Sequence, residues 1–298
     1  MTVEDWFRKG EAHLSGGPHP ERARADAETL LLYLLGKNKA WRLALATENL
    51  REDAADRYTG LLERRAQGEP IQYITGEAEF YGLPFHVTRA VLIPRPETEH
   101  VVEKAIELAA GLAGSGVAAP RIVDVGTGSG AIAVALAHQM PAAQITAIDC
   151  SAPALAIARE NAERNGVADR IRFLVGDLLA PVAQKQFDQE QFEIVVSNPP
   201  YVPEGDRASL AVEVRGFEPA QALFAGADGL AIYRRLIPAA FAALAPGGFV
   251  VLEIGYGQQA AIRALLADSG PLVGSGFEQI GFAADLQGIP RVAFARRG

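Results

Sequence analysis

Four positions in the sequence have polar residues that could bind a ligand at one edge of a sheet. Asp124 precedes the glycine loop Gly126–Gly130, while Asp149, Asp177 and Asn198 each follow an apolar run typical of a buried strand. They recur at intervals of roughly 20 to 30 residues, which suits repeated strand-helix-strand steps. Ligands of such sheets bind outside the carboxyl ends of the strands. The sequence therefore predicts one binding cleft lined by all four places.

The glycine loop and the acid after the next strand predict a nucleotide-like cofactor. Gly126, Gly128 and Gly130 in "DVGTGSG" let a ligand approach the backbone, although G-x-G-x-G differs from the dinucleotide spacing G-x-G-x-x-G. Taken alone, such a loop is equally a tight turn. Asp149 suits the two ribose hydroxyls, or it caps the helix that starts near Ser151. Together they favour ribose binding, which fits NAD as well as S-adenosylmethionine.

The corner "SNPPY" points to the reaction. Pro199 and Pro200 cannot donate a backbone hydrogen bond, so the strand before them must end. The Asn198 side-chain oxygen and a rigid backbone carbonyl form two acceptors that suit an –NH2 group, and Tyr201 offers a flat face for a planar amide or base. A simple strand terminator explains the prolines but neither the asparagine nor the tyrosine. We expect methyl transfer from a sulfonium to nitrogen, with Asn198, Pro199 and Tyr201 as catalytic residues.

The surrounding pattern predicts an α/β fold with a mostly parallel sheet of seven strands. Strands alternate with helices from residue 121 onward, which is typical of a doubly wound parallel sheet. Two further strands are joined by the short turn "LQGIP", too short for a parallel crossover, so the last strand is expected to be antiparallel. This arrangement is that of the Rossmann-like methyltransferases. The predicted strands are 121–126, 144–149, 170–176, 192–197, 249–254, 277–284 and 291–296, and the predicted helices are 130–139, 152–165, 229–244 and 258–268.

Three regions are predicted along the chain. Residues 1–70 have helical spacing and are expected to form a small all-α bundle, either a stabilising or dimerising appendage or a surface that holds a substrate. Residues 71–95 are rich in aromatic and β-branched residues and predict a hairpin linker. Residues 96–298 are expected to form the catalytic domain. The tight turn "PGG" at 246–248 should feed its strand at 249, and part of 178–191 should be a loop.

Composition narrows the class of protein. The 298 residues carry a net charge of -8, which disfavours a dedicated nucleic-acid binder. No apolar run approaches the ~20 residues of a membrane span, and the first residues lack the pattern of a signal peptide. One cysteine excludes an internal disulfide, and the few histidines have no metal-ligand spacing. We expect a cytoplasmic protein, monomeric, with no metal, no membrane partner and no direct nucleic-acid partner.

At this point the sequence resembles a known family, the PrmC (HemK) methyltransferases that modify peptide-chain release factors. The match runs from about residue 20 to the end. It is carried by "GEPIQYITGEAEFYGLPFHVTRAVLIPRPETE", "DVGTGSGAIAVALA", "GDLL", "IVVSNPPYVPE", "EVRGFEPAQALFAGADGL" and "PGGFVVLEIGYGQ". The resemblance implies methylation, with S-adenosylmethionine, of the side-chain amide nitrogen of the glutamine in the Gly-Gly-Gln motif of class-I release factors. It also implies that the N-terminal helical domain docks the release factor.

The resemblance assigns roles to individual residues. The loop Gly126, Thr127, Gly128, Ser129 and Gly130 would hold the methionine part of the cofactor. Further along, Asp149 would bind the ribose, Asp177 and Leu178 would lie near the adenine, and Asn198 would also approach the cofactor. The substrate glutamine would be clamped by Asn198, Pro199, Pro200 and Tyr201. Leu178 stands where the family usually has tryptophan, so apolar packing replaces aromatic stacking on the adenine.

Several alternatives stay open on the sequence alone. An amino-methyltransferase acting on a nucleic-acid base would share the glycine loop and the N-P-P-Y corner, and glutamine methylation of another protein is a related option. A cofactor-binding regulator without activity is the rival from a different class. Arg95, Glu97 and Glu99 either line the cofactor pocket or start a helix. Glu253, which ends a strand in "LEIG", is read as a buried, hydrogen-bonded acid.

Overall fold

The computed structural model describes residues 1–298 except 45–46, 50, 115, 184–190 and 271–275. The predicted loop within 178–191 therefore lies in part outside the described residues. The chain divides into two compact units. The first comprises Met1–Glu77 together with Ser209–Glu218, and the second comprises Ala78–Ala208 together with Pro219–Gly298. The functional division at 1–70, 71–95 and 96–298 stays a prediction.

The described residues contain eleven α-helices and nine strands. The helices are α1 (Val3–Leu14), α2 (Ala23–Leu35), α3 (Lys39–Ala44), α4 (Glu52–Ala66), α5 (Ile71–Thr75), α6 (Glu99–Ala113), α7 (Ala131–Gln139), α8 (Ala152–Arg164), α9 (Val212–Phe217), α10 (Ala231–Ala243) and α11 (Gln259–Ala267). The strands are β1 (Glu77–Phe80), β2 (Leu83–His86), β3 (Arg121–Val125), β4 (Gln144–Asp149), β5 (Ile171–Val175), β6 (Phe192–Ser197), β7 (Leu244–Glu253), β8 (Glu278–Ala284) and β9 (Pro290–Arg296).

The first unit is helical, and its apolar faces meet in one core. The Thr2 hydroxyl accepts from the Asp5 N–H, and the Asp5 carboxylate accepts from the Thr2 N–H, so a capping box starts α1. Gly36 ends α2 in the left-handed conformation that glycine adopts without strain. The fully buried Tyr58 donates its hydroxyl to the Ala27 carbonyl over 3.0 Å, which satisfies its one polar atom inside the core.

A distant segment completes this unit. Residues 209–218, which contain α9, belong to the helical unit although they follow the SNPPY corner in sequence. The buried Arg65 guanidinium donates to Asp26 Oδ2 over 2.6 Å and also to Glu213. A charge this deeply buried needs ionic partners to offset its lost hydration. The ion pair with Glu213 therefore fixes α9 to the helices of residues 1–77.

The second unit contains the predicted seven-stranded sheet. Its strand order is β5-β4-β3-β6-β7-β9-β8. The pairs between β5 and β7 are parallel, and β9 runs antiparallel to both β7 and β8. The fold class and the antiparallel last strand are thus confirmed. Strand order reverses between β3 and β6, the switch point at which open α/β sheets form their binding crevice.

Most predicted strands and helices agree with the structure to within two residues, and one strand differs. Strand β7 begins at Leu244 rather than 249, and the predicted turn 246–248 lies inside it. Leu244 pairs with Phe192 and Phe249 with Ile194, so the residues between them bulge out of the ladder. Gly247, at φ +80°, permits this bulge. The expectation that the strand follows the turn was therefore wrong.

The predicted hairpin is present, with limits narrower than 71–95. Its strands β1 and β2 pair with each other in a separate two-stranded sheet. Residues Ile71–Thr75 ahead of it form the short helix α5 instead of strand, beginning after Pro70 and ending at Gly76 with φ +75°. Within the described part of the chain, no helix has both the length and the apolar character required to cross a bilayer.

Candidate active site

One cleft opens at the switch point between β3 and β6. The two strands pair through Asp124 and Val196, so the loops that follow them are neighbours. The Ser197 hydroxyl donates to the Val125 carbonyl over 2.6 Å and joins the two strand ends. The predicted site residues that line the cleft are Gly126, Thr127, Gly128, Ser129, Asp149, Asp177, Leu178, Asn198 and Pro200. Predicted positions from four strand ends are therefore brought together.

The glycine loop is held by the strand ends beneath it. The N–H groups of Gly126 and Thr127 both donate to the Ile148 carbonyl, over 2.8 and 3.0 Å. The Thr127 hydroxyl donates to Asp124 Oδ2 over 2.6 Å, and the Asp124 carboxylate is fully buried. Burial raises the pKa of Asp124 to about 7, and the Thr127 hydrogen bond opposes the rise. Asp124 thus supports the loop from inside the protein.

The three glycines are required for two different reasons. All have positive φ: 74° at Gly126, 55° at Gly128 and 82° at Gly130. A Cβ at Gly126 or Gly128 would meet no atom within 4 Å, so these two residues leave space beside the loop. A Cβ at Gly130 would lie 3.1 Å from the Cβ of Ala158, so this glycine lets α7 begin close to α8. Gly130 is not among the described residues that line the cleft.

Asp149 connects the glycine loop to helix α8. Its Oδ2 accepts from the Gly128 N–H over 2.9 Å, and its Oδ1 accepts from the Ser151 N–H over 2.8 Å. The cap of α8 is Ser151 itself, whose hydroxyl accepts from the Ala154 N–H over 3.2 Å. Because each carboxylate oxygen has two lone pairs, Asp149 keeps acceptor capacity for a ligand in the cleft.

Asp177 and Leu178 form another wall of the cleft. Asp177 makes an ion pair with Arg235 on α10, and both side chains are more than half exposed. Leu178 adopts φ +50°, a conformation that a non-glycine residue rarely takes. Residues with such unusual backbone conformations are concentrated at binding sites, where the surrounding structure holds them in place. Its side chain lies against the hydrophobic core of the second unit and also lines the cleft.

The SNPPY corner is braced by hydrogen bonds on both sides. Asn198 Nδ2 donates to the Thr98 hydroxyl over 3.0 Å. After the corner, the Val202 N–H donates to the Leu223 carbonyl, and the Ala225 N–H donates to the Val202 carbonyl, each over 2.9 Å. Among the described residues, the Asn198 side chain hydrogen-bonds to Thr98 alone, through Nδ2. The Asn198 Oδ1 is therefore left as an acceptor on a rigid backbone. Binding of an –NH2 group by this corner stays a prediction.

Tyr201 is fixed at both its ring and its backbone. Its hydroxyl donates to Glu253 Oε1 over 3.1 Å, and its carbonyl accepts from Gln258 Nε2 over 3.0 Å. Burial, the Glu253 charge and the hydrogen bond to it raise the pKa of the phenol, so Tyr201 is a hydrogen-bond donor and not a base. A Cβ at Gly229 would lie 2.3 Å from the Tyr201 carbonyl oxygen, so only glycine fits there.

Two residues of this site were not predicted from the sequence. Thr98 and Gln258 touch the corner, but a lone threonine or glutamine in sequence carries no chemical signal. Glu253 is buried and hydrogen-bonded, as expected. Of the three residues left open, Arg95 lines the cleft. Glu97 lies in the 3-10 turn Pro96–Thr98, and Glu99 starts α6, where its carboxylate accepts from the Tyr81 N–H over 2.8 Å.

Pro199 and Tyr201 are not among the described cleft-lining residues, although their neighbours Asn198 and Pro200 are. In the described part of the chain, no three side chains of the metal-ligating kinds cluster as a metal would require.

Two solved methyltransferase structures share this fold. The catalytic domain of hMettl16, solved with a MAT2A 3'UTR hairpin, aligns with 89% of this chain and 91% of its own at TM-score 0.56 and 16% identity. The Thermus thermophilus 16S rRNA N2 G1207 methyltransferase, solved with AdoMet and guanosine, aligns with 74% of this chain and 50% of its own at TM-score 0.51 and 19% identity. At such identities the likeness establishes the fold alone. The fold is that of the Rossmann-like methyltransferases.

Sequence comparison identifies the family. The methyltransferase small domain matches residues 108–229, and the PrmC N-terminal domain matches residues 5–76. The release factor glutamine methyltransferase of Koribacter versatilis is 39% identical, covering 100% of this chain and 99% of its own. Those of Moorella thermoacetica and Salmonella typhimurium are 44% and 40% identical, covering 89% and 91% of this chain and 89% and 92% of their own. The chain belongs to the release factor glutamine methyltransferase family and is a protein-glutamine methyltransferase.

Proposed function

We propose that this protein transfers the methyl group of S-adenosylmethionine to the side-chain amide nitrogen of the glutamine in the Gly-Gly-Gln motif of class-I peptide-chain release factors. One observation carries the proposal. Asn198, with a free side-chain acceptor, lines the same cleft as the glycine loop and Asp149. Relatives named for this activity align with the chain over nearly its whole length.

The cleft suits the proposed cofactor. Gly126 and Gly128 leave open space beside the loop, where a Cβ would otherwise project. We assign Gly126–Gly130 to the methionine part, Asp149 to the ribose hydroxyls, and Asp177 and Leu178 to the adenine side. The remaining acceptor capacity of the Asp149 carboxylate matches the two hydroxyls of a ribose. When bound, S-adenosylmethionine supplies an electrophilic methyl group on a positively charged sulfur.

The chain's own part in catalysis is to hold the substrate amide. The Asn198 Oδ1 and the Pro199 carbonyl each accept one N–H of the glutamine –NH2 group, and the two prolines keep these acceptors from moving. Pro200 and the ring of Tyr201 complete the clamp around the planar amide. An amide nitrogen is a poor nucleophile because its lone pair is delocalised. Acceptors that favour a pyramidal nitrogen stabilise the transition state more than the bound substrate.

Loss of the excess proton from the methylated amide needs no dedicated base. Tyr201 stays protonated because its pKa is raised. The methylated amide loses its excess proton to water, since a cationic amide is strongly acidic. The side chains of the corner therefore bind and orient the amide, and they do not remove its proton.

The helical unit is assigned to substrate docking. The PrmC N-terminal domain matches residues 5–76, which cover most of this unit. The region 1–70 would hold the release factor while 96–298 carries out transfer, with 71–95 as the link between them. We place the reaction in the cytoplasm, where release factors act, and assign it to a monomer.

A nucleic-acid base is the main alternative substrate. The solved methyltransferases that are bound to RNA or named for it share the fold at 16–19% identity, whereas full-length relatives near 40% are named for release factors. A net charge of -8 also opposes tight binding of a phosphate backbone. Methylation of a glutamine in another protein would use the same corner. It would differ only in which protein the helical unit binds.

Peptide mass spectrometry tests the proposal. The protein is incubated with S-adenosylmethionine and a class-I release factor, beside a matched release factor carrying Gln→Ala in its Gly-Gly-Gln motif. We expect one added methyl on the wild-type glutamine and none on the variant. Methyl transfer to RNA, DNA or another protein, with none to the release factor, would overturn the proposed substrate.

A further inference from the structure

The side chain of Glu253 contacts the SNPPY corner directly through Tyr201 and indirectly through Thr98. Glu253 ends strand β7 and is 2% exposed. Its Oε2 accepts from the Thr98 hydroxyl over 2.6 Å, and its Oε1 accepts from the Tyr201 hydroxyl over 3.1 Å. Its backbone carbonyl accepts from the Tyr233 hydroxyl over 2.6 Å. Two hydroxyl groups thus hold the buried carboxylate, and a third holds the backbone of the same residue.

The hydrogen bonds from Glu253 to Asn198 have a fixed direction. An ionised carboxylate has no hydrogen to donate, so the Thr98 hydroxyl must point its hydrogen at Glu253. The Thr98 oxygen can then only accept from Asn198, and Asn198 Nδ2 donates to it over 3.0 Å. The side-chain amide of Asn198 is planar, with its oxygen opposite its –NH2 group. Once the –NH2 group is committed to Thr98, the oxygen is the part left for a ligand.

We propose that Glu253 and Thr98 are positioning residues that orient the Asn198 amide so that its Oδ1, and not its Nδ2, meets the substrate amide. This inference rests on the proposed function, because Asn198 there accepts a hydrogen bond from the glutamine nitrogen. Were the Asn198 amide turned over, its –NH2 group would face the substrate –NH2 group, donor against donor. Such a pair forms no hydrogen bond and leaves both groups unsatisfied.

Glu253 holds the other end of the corner in the same way. Through Oε1 it fixes the Tyr201 ring, whose carbonyl is held by Gln258. Gln258 Oε1 in turn accepts from the Gly255 N–H over 2.9 Å, two residues beyond Glu253. Asn198 and Tyr201 are therefore positioned from the same strand end. Such supporting hydrogen bonds keep functional side chains in productive geometry.

The protonation state of Glu253 sets this direction. Burial raises its pKa to about 6, against the hydrogen bonds from Thr98 and Tyr201, which lower it. The charged and titratable groups that bear on Glu253 are Glu97, Arg291, Tyr201 and Tyr233. A protonated Glu253 can donate to Thr98 and so permit the opposite orientation of Asn198. We expect catalysis above pH 6 and its loss as the pH falls through about 6.

Kinetics of Glu253→Gln provide the test. Glutamine has nearly the same shape and donates as well as accepts, so the direction of the hydrogen bonds is no longer fixed. We expect kcat for release factor methylation to fall on the order of 10- to 100-fold, as for other supporting residues. KM and cofactor affinity should stay near wild-type values, and the acid limb near pH 6 should disappear. The control is Glu193→Gln, which removes a carboxylate paired with Arg121 near the opposite end of the neighbouring strand.

A second pair of variants covers the case in which Glu253→Gln does not fold. Thr98→Ser keeps the hydroxyl and should retain kcat, whereas Thr98→Val removes it and should lower kcat as Glu253→Gln does. Equal kcat in Thr98→Ser and Thr98→Val, or an unchanged kcat and acid limb in folded Glu253→Gln, would overturn the inference.

A substrate-free measurement separates this inference from the proposed function. The two side-chain N–H signals of Asn198 can be followed by ¹⁵N NMR without any release factor. We expect slow hydrogen exchange of the proton bonded to Thr98 in the wild type and faster exchange in Glu253→Gln. If the wild type methylates no release factor, the proposed function fails, while unchanged exchange in Glu253→Gln contradicts the positioning role itself.

Discussion

The carboxylate of Asp149 accepts a hydrogen bond from the backbone N–H of Gly128 over 2.9 Å. This bond ties the strand end assigned to the ribose to the glycine loop assigned to the methionine part. A single side chain thus both offers acceptors to the cofactor and holds the loop that surrounds it. The shape of the cleft and its chemistry depend on the same carboxylate.

Replacement of Asp149 by asparagine should weaken cofactor binding. The amide has one acceptor oxygen for the two N–H donors of Gly128 and Ser151, so one donor faces an –NH2 group. An unsatisfied donor costs about 1–3 kcal/mol, or roughly ten- to a hundredfold in affinity. Isothermal titration calorimetry with S-adenosylmethionine measures the effect, with Asp169→Asn, outside the cleft, as the control. Equal affinity for wild type and Asp149→Asn would refute the assignment.

Gly130→Ala should destabilise the fold more than Gly166→Ala. Both glycines have positive φ, 82° and 67°, so both variants carry backbone strain of about 1–2 kcal/mol. Only at Gly130 does the new Cβ lie 3.1 Å from Ala158, whereas at Gly166 it meets no atom within 4 Å. We expect an extra loss of about 1–3 kcal/mol at Gly130. Urea denaturation of both variants measures it, and equal midpoints would contradict the close packing of α7 on α8.

Asp124 should make stability depend on pH. Its pKa is raised to about 7 in the folded protein from a usual value near 4, so the folded state binds its proton more tightly than the unfolded state. The stabilisation is therefore complete below about pH 4 and is lost as the pH rises to about 7, by at most roughly 4 kcal/mol. Asp124→Asn should flatten the pH profile of the unfolding free energy over this range. Parallel profiles for the two proteins would rule out this effect.

Loss of Arg65 should unfold the helical unit readily. Arg65→Ala removes the nearer ion-pair partner of the buried Asp26 carboxylate and leaves only Arg22, 3.8 Å away, which costs about 3–5 kcal/mol. Adding Asp26→Ala removes the stranded charge, so the double variant should be less destabilised than the sum of the single variants. Thermal unfolding followed by circular dichroism supplies the three values. Additive losses would show that the two side chains do not interact.

The strands and the places where they end could be predicted from the sequence because each apolar run stops at a residue of different character. Asp149 and Asn198 follow such runs directly, and parallel strands place their carboxyl ends at one edge of the sheet. The start of β7 at Leu244 could not be predicted, because Pro246 and the glycines after it are typical of a turn that precedes a strand. A bulge is determined by pairing with the neighbouring strand, which no local pattern records.

The supporting residues of the site could not be predicted for a similar reason. Thr98 and Glu253 lie far apart in sequence from Asn198, and nothing in their residue types indicates that they share a hydrogen-bonded network. The same holds for Glu213, whose ion pair with Arg65 places α9 with the N-terminal helices. Single residues of common types acquire these roles only through tertiary contacts.

The most direct measurement is single-turnover methyl transfer from S-adenosylmethionine to a class-I release factor by Asn198→Ala, at saturating concentrations of both. We expect a fall in rate of about 10²- to 10³-fold, the usual cost of removing one transition-state hydrogen bond, with cofactor affinity little changed. Glu193→Gln, at the opposite end of the strand that leads into the corner, serves as the control and should keep the wild-type rate. A rate for Asn198→Ala equal to that of the wild type would contradict the proposed role of Asn198 in holding the substrate amide.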